Sequence, residues 1–144
     1  MMSLVELEKT IVECKKCERL VDFREKIARE KRRSYIDWDY WGKAVPGYGE
    51  PDAKFLILGL APAAHGGNRT GRVFTGDKSA DFLFRCLHHV GLANQPNSDH
   101  RDDGLKLDGY ITPAVKCVPP GDKPTAQEKE NCEPFLAKEF LFLK

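Results

Sequence analysis

Cysteines at ligand spacing carry the first chemistry in this chain. Cys14 and Cys17 form CKKC, and Cys117 and Cys132 lie with fourteen residues between them. A C-x2-C pair places two thiolates close enough to share a metal or cluster. Two more distant thiolates complete four-coordination, the ligand count of structural zinc or of an iron–sulfur cluster. Spacing alone does not separate the two. CxxC also marks thioredoxin-like redox sites, but those follow a strand, whereas Cys14 and Cys17 sit among charged residues in a predicted helix. The fifth cysteine, Cys86, falls on the apolar face of another predicted helix and reads as a packed core residue.

The second chemical stretch is FLILGLAPAAHGGNRTGRVFTGD, from Phe55 to Asp77. It leaves an apolar run and continues in small residues, one histidine, two arginines and an asparagine. Gly59, Ala61, Ala63, Ala64, Gly66 and Gly67 let the backbone approach a ligand closely. Arg69, Arg72 and the backbone amides suit phosphates. Phe74 offers a ring for a base to stack on, and His65 and Asn68 offer polar groups. The blander readings are a plain turn at Gly66 and Gly67, a hydrogen-bonded loop histidine, and a phenylalanine packed in the core. The stretch is neither G-x-G-x-x-G nor a P-loop.

These groups need elements to hold them. Leu4, Leu7, Ile11 and Val12 recur at helical spacing, and Ser3 with Glu6 forms a capping box, predicting a helix from Ser3 to about Glu18. A second helix is predicted over Val21–Arg33. Its basic run from Arg24 to Arg33 reads as a solvated face rather than a phosphate patch. Residues 34–51 are aromatic and rich in Gly and Pro, a loop. Lys54–Leu60 predicts a strand buried on both faces, and Leu107–Val118 a second strand. Ser79–Val90 predicts a helix capped by Ser79 or Asp77 and stopped by Gly91. Thr125, with Glu128 three residues on, starts a last helix towards Phe142. Strand, glycine-rich turn, helix, strand, turn, helix is the order of an α/β fold with a parallel sheet.

The whole chain, 1–144, suits one domain, and 41% apolar with 31% charged residues excludes disorder. No apolar run is long enough to cross a bilayer. The start, MMSLVELEKTIVE, lacks a signal-peptide core, so a cytoplasmic location is expected. In that reducing setting five cysteines point to metal or free thiols rather than disulfides. A net charge of +1 excludes a polycation.

The order CKKC, VPGYGEP, GLAPAAHGGNRTGRVFTGD, GYITPAVKCVPPGDKPT and NCEPF resembles the family 5 (type b) uracil-DNA glycosylases, an iron–sulfur branch of their superfamily. The resemblance covers nearly the entire chain. It implies a three-layer α/β/α fold around a parallel sheet. It implies excision of uracil, and sometimes of other deaminated bases such as hypoxanthine, from DNA by a monomer that needs no membrane. It implies that Cys14, Cys17, Cys117 and Cys132 ligate a [4Fe–4S] cluster. Phe74 matches the ring that stacks on the flipped base, and the backbone from Gly59 to Ala64, with Leu60, Ala61, Pro62 and Ala63 between, lines the pocket near the sugar. His65, Arg69 and Arg72 join them, the arginines as phosphate or field contacts. Ala61 stands where many superfamily members place the group that orients water, which makes Asn68 the expected substitute.

Two departures accompany the resemblance. Related iron–sulfur glycosylases carry Asn in a T-N-x-V-K-C context on the second strand, where Pro113 follows Thr112 here; its side chain offers no hydrogen bond to a base edge. The late histidine-proline-serine motif and its intercalating loop belong beyond Lys144. The expectation is therefore a C-terminally truncated member, lacking its last strands. The competing reading is a non-catalytic iron–sulfur DNA-binding module.

Overall fold

The computed structural model describes residues 3–143; Met1, Met2 and Lys144, the residue beyond which the late motif was expected, lie outside that range. The first helix, α1, spans Leu4–Val12 and buries Leu4, Leu7 and Ile11. Ser3 Oγ accepts from Glu6 N at 3.2 Å and Glu6 returns the bond to Ser3 N at 3.3 Å, as the capping box predicted. The helix does not reach Glu18. Cys14 N bonds Ile11 O at 3.0 Å in a tightened last turn, and the CKKC segment runs between helices. Cys17 is the N-cap of α2, Glu18–Glu30. Periodicity missed the break because Leu20 and Arg24 continue the buried stripe on a new axis.

Three strands form one sheet, β1 (Tyr48–Gly49), β2 (Leu56–Gly59) and β3 (Tyr110–Pro113), in the order β1-β3-β2. β2 and β3 are parallel, with Leu56 opposite Tyr110 and Gly59 opposite Pro113. β1 is antiparallel to β3 and was hidden in the expected loop; two residues carry no readable alternation. β3 is buried throughout. β2 is not the doubly buried strand expected, because Leu58 is 51% exposed and Leu60, just beyond it, 53%.

Successive β3 residues point to opposite faces. Tyr110 joins a core with Leu7, Ile11, Leu20, Val115, Cys117 and Cys132, under α1, α2 and α5 (Ala126–Phe142). Ile111 joins a second core with Val73, Phe84, Leu87 and Leu107, under α4 (Lys78–His89). Helices on both faces of the sheet give the three-layer α/β arrangement. Burying each large aliphatic or aromatic side chain contributes roughly 1.5–3 kcal/mol. Asp77 caps α4 by accepting from Ala80 N at 2.8 Å, and Gly91 follows its end at φ +82°. Thr125 and Glu128 form the predicted capping box of α5. Cys86 is exposed on α4, a correction to its predicted core place: the α4 stripe is carried by Ala80, Phe84 and Leu87. No described helix is long and apolar enough to cross a membrane.

Candidate functional site

The stretch after β2 folds at the carboxyl end of the parallel strands, where open α/β sheets bind ligands. Ala114 N donates to Gly59 O at 2.8 Å and Val115 N to Leu60 O at 2.9 Å, which ties the start of the loop to the end of β3. The loop then tightens into one helical turn, α3 (Gly67–Thr70), whose four residues are all buried. Asn68 N donates to Ala63 O at 3.0 Å, and Thr70 Oγ1 to Gly66 O at 2.9 Å. A hollow of 410 Å³ opens beside it, walled by Ala63, Ala64, His65 and Gly66, with Arg32 and Lys78 among its other walls. That volume lies in the range of small-molecule sites. A larger hollow of 640 Å³ lies on the α1–α2 side, by Arg24, Arg29, Trp41 and Lys43, and shares no lining residue with the first.

His65 Nδ1 and the Tyr40 hydroxyl lie 2.7 Å apart. Burial, and then the charges of Arg32 and Arg69, hold the His65 imidazole below its ordinary pKa, so the ring is neutral near pH 7. Tyr40 was not singled out from the sequence, because only the fold brings it to His65.

Phe74 is held at φ +48°, a left-handed conformation that a phenylalanine rarely adopts. Its ring lies over Gly59, where an added Cβ would meet it at 2.8 Å; glycine ends β2 because the ring occupies that space. Ala61 packs against the first core, Pro62 is buried, and Leu60 faces outward.

Both arginines of the loop turn inward. Arg69 donates to the His65 carbonyl at 2.5 Å and the Gly76 carbonyl at 2.8 Å. Its guanidinium lies 3.8 Å from the Tyr35 ring centre and 4.0 Å from that of Trp38. Gly76, at φ +84°, has no room for a Cβ beside that guanidinium. Arg72 bonds Thr75 Oγ1 at 2.9 Å, Ser98 Oγ at 2.9 Å and Asp103 Oδ2 at 3.0 Å. Burial raises the Asp103 carboxyl, but Arg72 and the N–H groups of Asp99 and Leu105 outweigh it and hold it low. These guanidiniums brace the loop instead of facing phosphate as expected.

Asn68 is 0% exposed. Its Nδ2 donates to the Arg24 carbonyl at 3.3 Å, and its Oδ1 has no partner. It sits behind the Ala63 wall rather than in the hollow.

The four spaced cysteines come from four different places: the end of α1, the cap of α2, the segment after β3, and α5. Cys17, Cys117 and Cys132 belong to the first core, and Cys14 lies close enough to perturb both Cys117 and Cys132. All are free thiols, and Cys86 stands apart on α4. Among the described residues no group of three or more His, Cys, Asp or Glu closes to coordinate a single ion. N–H donors nevertheless aim at three of the sulfurs. Arg24 Nη1 is 3.0 Å from Cys117 Sγ, Asn131 Nδ2 is 3.3 Å from Cys17 Sγ, and Lys116 N is 3.5 Å from Cys132 Sγ. Sulfurs that accept N–H bonds suit thiolate ligands of a cluster. Burial pushes the Cys117 thiol up to about 11 and raises Cys132, so a bound metal must displace their protons.

Next to this centre lies a network that the sequence did not signal. Lys116 Nζ reaches Glu139 Oε1 at 2.6 Å, Thr112 Oγ1 at 2.7 Å and the Pro113 carbonyl at 2.5 Å. Thr112 Oγ1 donates to Glu139 Oε2 at 2.6 Å.

A family model described as the uracil DNA glycosylase superfamily matches residues 46–144. A "Type-5 uracil-DNA glycosylase" of Mycobacterium tuberculosis is 50% identical over 139 residues, 96% of this chain and 52% of its own length. One from Pyrobaculum aerophilum is 51% identical over 130 residues, 90% of this chain and 57% of its own. A "Type-4 uracil-DNA glycosylase" of the same organism is 33% identical over 106 residues, 73% of this chain and 47% of its own. The chain spans about half the length of the curated relatives it matches. It belongs to the uracil DNA glycosylase superfamily, and its sequence sides with the type-5 members.

Proposed function

We propose that this chain serves in base-excision repair, hydrolysing the N-glycosidic bond of uracil and related deaminated bases in DNA. The observation that carries the reading is the loop after β2. It makes a base-sized hollow from the backbone of residues 63–66 and a neutral His65, with the strained Phe74 ring packed over Gly59. A base inside a duplex is out of reach, so the nucleotide is flipped into the hollow. Ala63, Ala64 and Gly66 let the backbone close on a flat ring; the Phe74 ring packs over Gly59 outside the walls of the hollow and has to turn towards it to stack on the base. Water adds to C1′ as the glycosidic bond breaks; the base leaves with the bonding electrons and takes up a proton, and an abasic sugar remains. Such a step needs a placed water and stabilisation of the departing anion more than a strong base. Arg32 and Lys78 line the hollow together with Asp77 and Asp122, so its charges are balanced, and in this reading the hydrogen bond to the base edge comes from neutral His65. We assign the placing of water to Asn68, whose Oδ1 is the buried acceptor without a partner; water must enter behind the Ala63 wall to reach it.

Cys14, Cys17, Cys117 and Cys132 fit a [4Fe–4S] cluster as a donor set, on the N–H bonds their sulfurs accept. When bound, the cluster clips α1, α2, the end of β3 and α5 together, in place of core that a small domain lacks. Five free cysteines suit a reducing, cytoplasmic setting.

Single-turnover cleavage of a uracil-containing oligonucleotide by anaerobically purified chain tests the reading. Excision is the expected result, with Asn68→Ala slower on the order of 100-fold and unchanged in DNA affinity. No excision by folded, iron-loaded chain that still binds DNA would replace the enzyme with a DNA-binding module. Equal rates for Asn68→Ala would remove Asn68 from the chemistry.

A further inference from the structure

Arg24 is 2% exposed at the centre of α2. The four ion pairs among the described residues hold Arg19, Lys26, Arg72 and Lys116; Arg24 has no carboxylate. Its Nη1 donates to the Cys14 carbonyl at 3.1 Å and to Cys117 Sγ at 3.0 Å, and its Nε has no partner. A buried cation without a counter-charge is expensive, and proteins keep one where an anion completes it. The nearest acceptors are a cysteine sulfur and a cysteine carbonyl from two different arms of the four-cysteine centre. A centre of four thiolates supplies the missing negative charge.

The backbone of the same residue faces the other way. The Arg24 carbonyl accepts from Asn68 Nδ2 at 3.3 Å, and the Asn68 carbonyl accepts from Gly42 N at 3.0 Å. One turn of α2 therefore touches the Cys117 sulfur with its side chain and the loop after β2 with its backbone.

Resting on the four-cysteine reading, we infer that Arg24 is a positioning residue for the iron–sulfur centre. It is the buried counter-charge of the thiolates, hydrogen-bonded to Cys117, and it fixes the centre to the α2 turn that holds Asn68. Outer partners of metal ligands of this kind are worth roughly 10- to 100-fold in metal retention.

The test uses the full chain, reconstituted without oxygen with iron and sulfide, and follows iron loss to a chelator and the visible absorption. Arg24→Met is expected to lose iron on the order of 10- to 100-fold faster than the unchanged chain. Its iron-free form is expected to unfold at an unchanged or higher urea concentration, because the substitution removes a buried charge and leaves no carboxylate stranded. Iron loss at the original rate overturns the inference. So does a stability loss equal in the iron-free and loaded forms, which marks a merely structural residue. Arg24→Lys keeps the charge but lacks the fork. It is expected to fall between the two in iron loss, and it decides the matter if Arg24→Met does not fold: retention equal to the unchanged chain then overturns the role. An unchanged chain that takes up no iron overturns the four-cysteine reading itself, whereas one that loads iron and is indifferent to Arg24 overturns only this inference.

Discussion

The loop after β2 buries Arg69 and Arg72 and the cysteine end buries Lys116 and Arg24, and of these four cations among the described residues only Arg24 keeps a buried N–H without a partner. Arg72 is enclosed by Thr75, Ser98 and Asp103, and its charge is matched within the protein. Lys116 is likewise matched by Glu139, Thr112 and the Pro113 carbonyl. Arg24 meets a sulfur and a carbonyl through Nη1, and its buried Nε has no partner. A closed network is scaffold. An open one beside four free thiols would gain its counter-charge if those thiols lost their protons to a bound cluster. The comparison separates what braces the loop from what is left open at the cysteine end.

One substitution type, cation to methionine, sharpens this difference. The largest cost is expected at Lys116. Both it and Glu139 are 1% exposed, so Lys116→Met strands a buried carboxylate and should cost about 3–5 kcal/mol by urea unfolding. The double change Lys116→Met, Glu139→Leu should recover most of that loss; an equal loss in both would mean that packing, not charge, governs the site.

Arg72→Met should cost less, about 2 kcal/mol, because Asp103 keeps N–H bonds from Asp99 at 2.8 Å and Leu105 at 3.0 Å. The same pair sets an acid limb. The folded Asp103 carboxyl is held below its ordinary 3.8, so its stabilisation is full above that pH and is lost as pH falls through the lower folded value. Urea midpoints below pH 3.8 should therefore fall less steeply for Arg72→Met than for the unchanged chain; parallel curves would remove Asp103 from acid unfolding.

Asp77→Ala removes the α4 cap and should cost about 1 kcal/mol in thermal unfolding. The smallest change is expected at the open network: Arg24→Met should shift the iron-free chain by less than about 1 kcal/mol. A shift as large as that at Lys116 would break the distinction between closed and open sites.

The parts of this architecture that rest on local chemistry were legible in the sequence. Ser3, Asp77 and Thr125 cap helices because a side-chain oxygen meets an N–H three residues on, and nothing distant is needed. The spacing of Leu4, Leu7 and Ile11 read directly as a buried stripe. What failed depends on the third dimension. Arg24 sits in a basic run that reads as solvated, and only packing under the cysteine arms buries it. Cys86 shares its helix with Ala80, Phe84 and Leu87 but falls outside their stripe. Leu58 belongs to an apolar run that reads as buried on both faces, yet its own face is open. Of the site, the cysteine set and the glycine-rich loop were visible as types and spacing. The inward turn of Arg69 onto Tyr35 and Trp38, and the pairing of His65 with Tyr40, were not, because each joins residues from separate segments.

The most direct measurement is the iron and sulfide content of the anaerobically reconstituted chain beside Cys132→Ser and Cys86→Ser. About four irons and four sulfides per chain are predicted for the unchanged protein and for Cys86→Ser, with Cys132→Ser losing both them and the brown absorption. Iron retained in full by Cys132→Ser, or lost by Cys86→Ser, would contradict the assignment of the cysteine end as the cofactor centre.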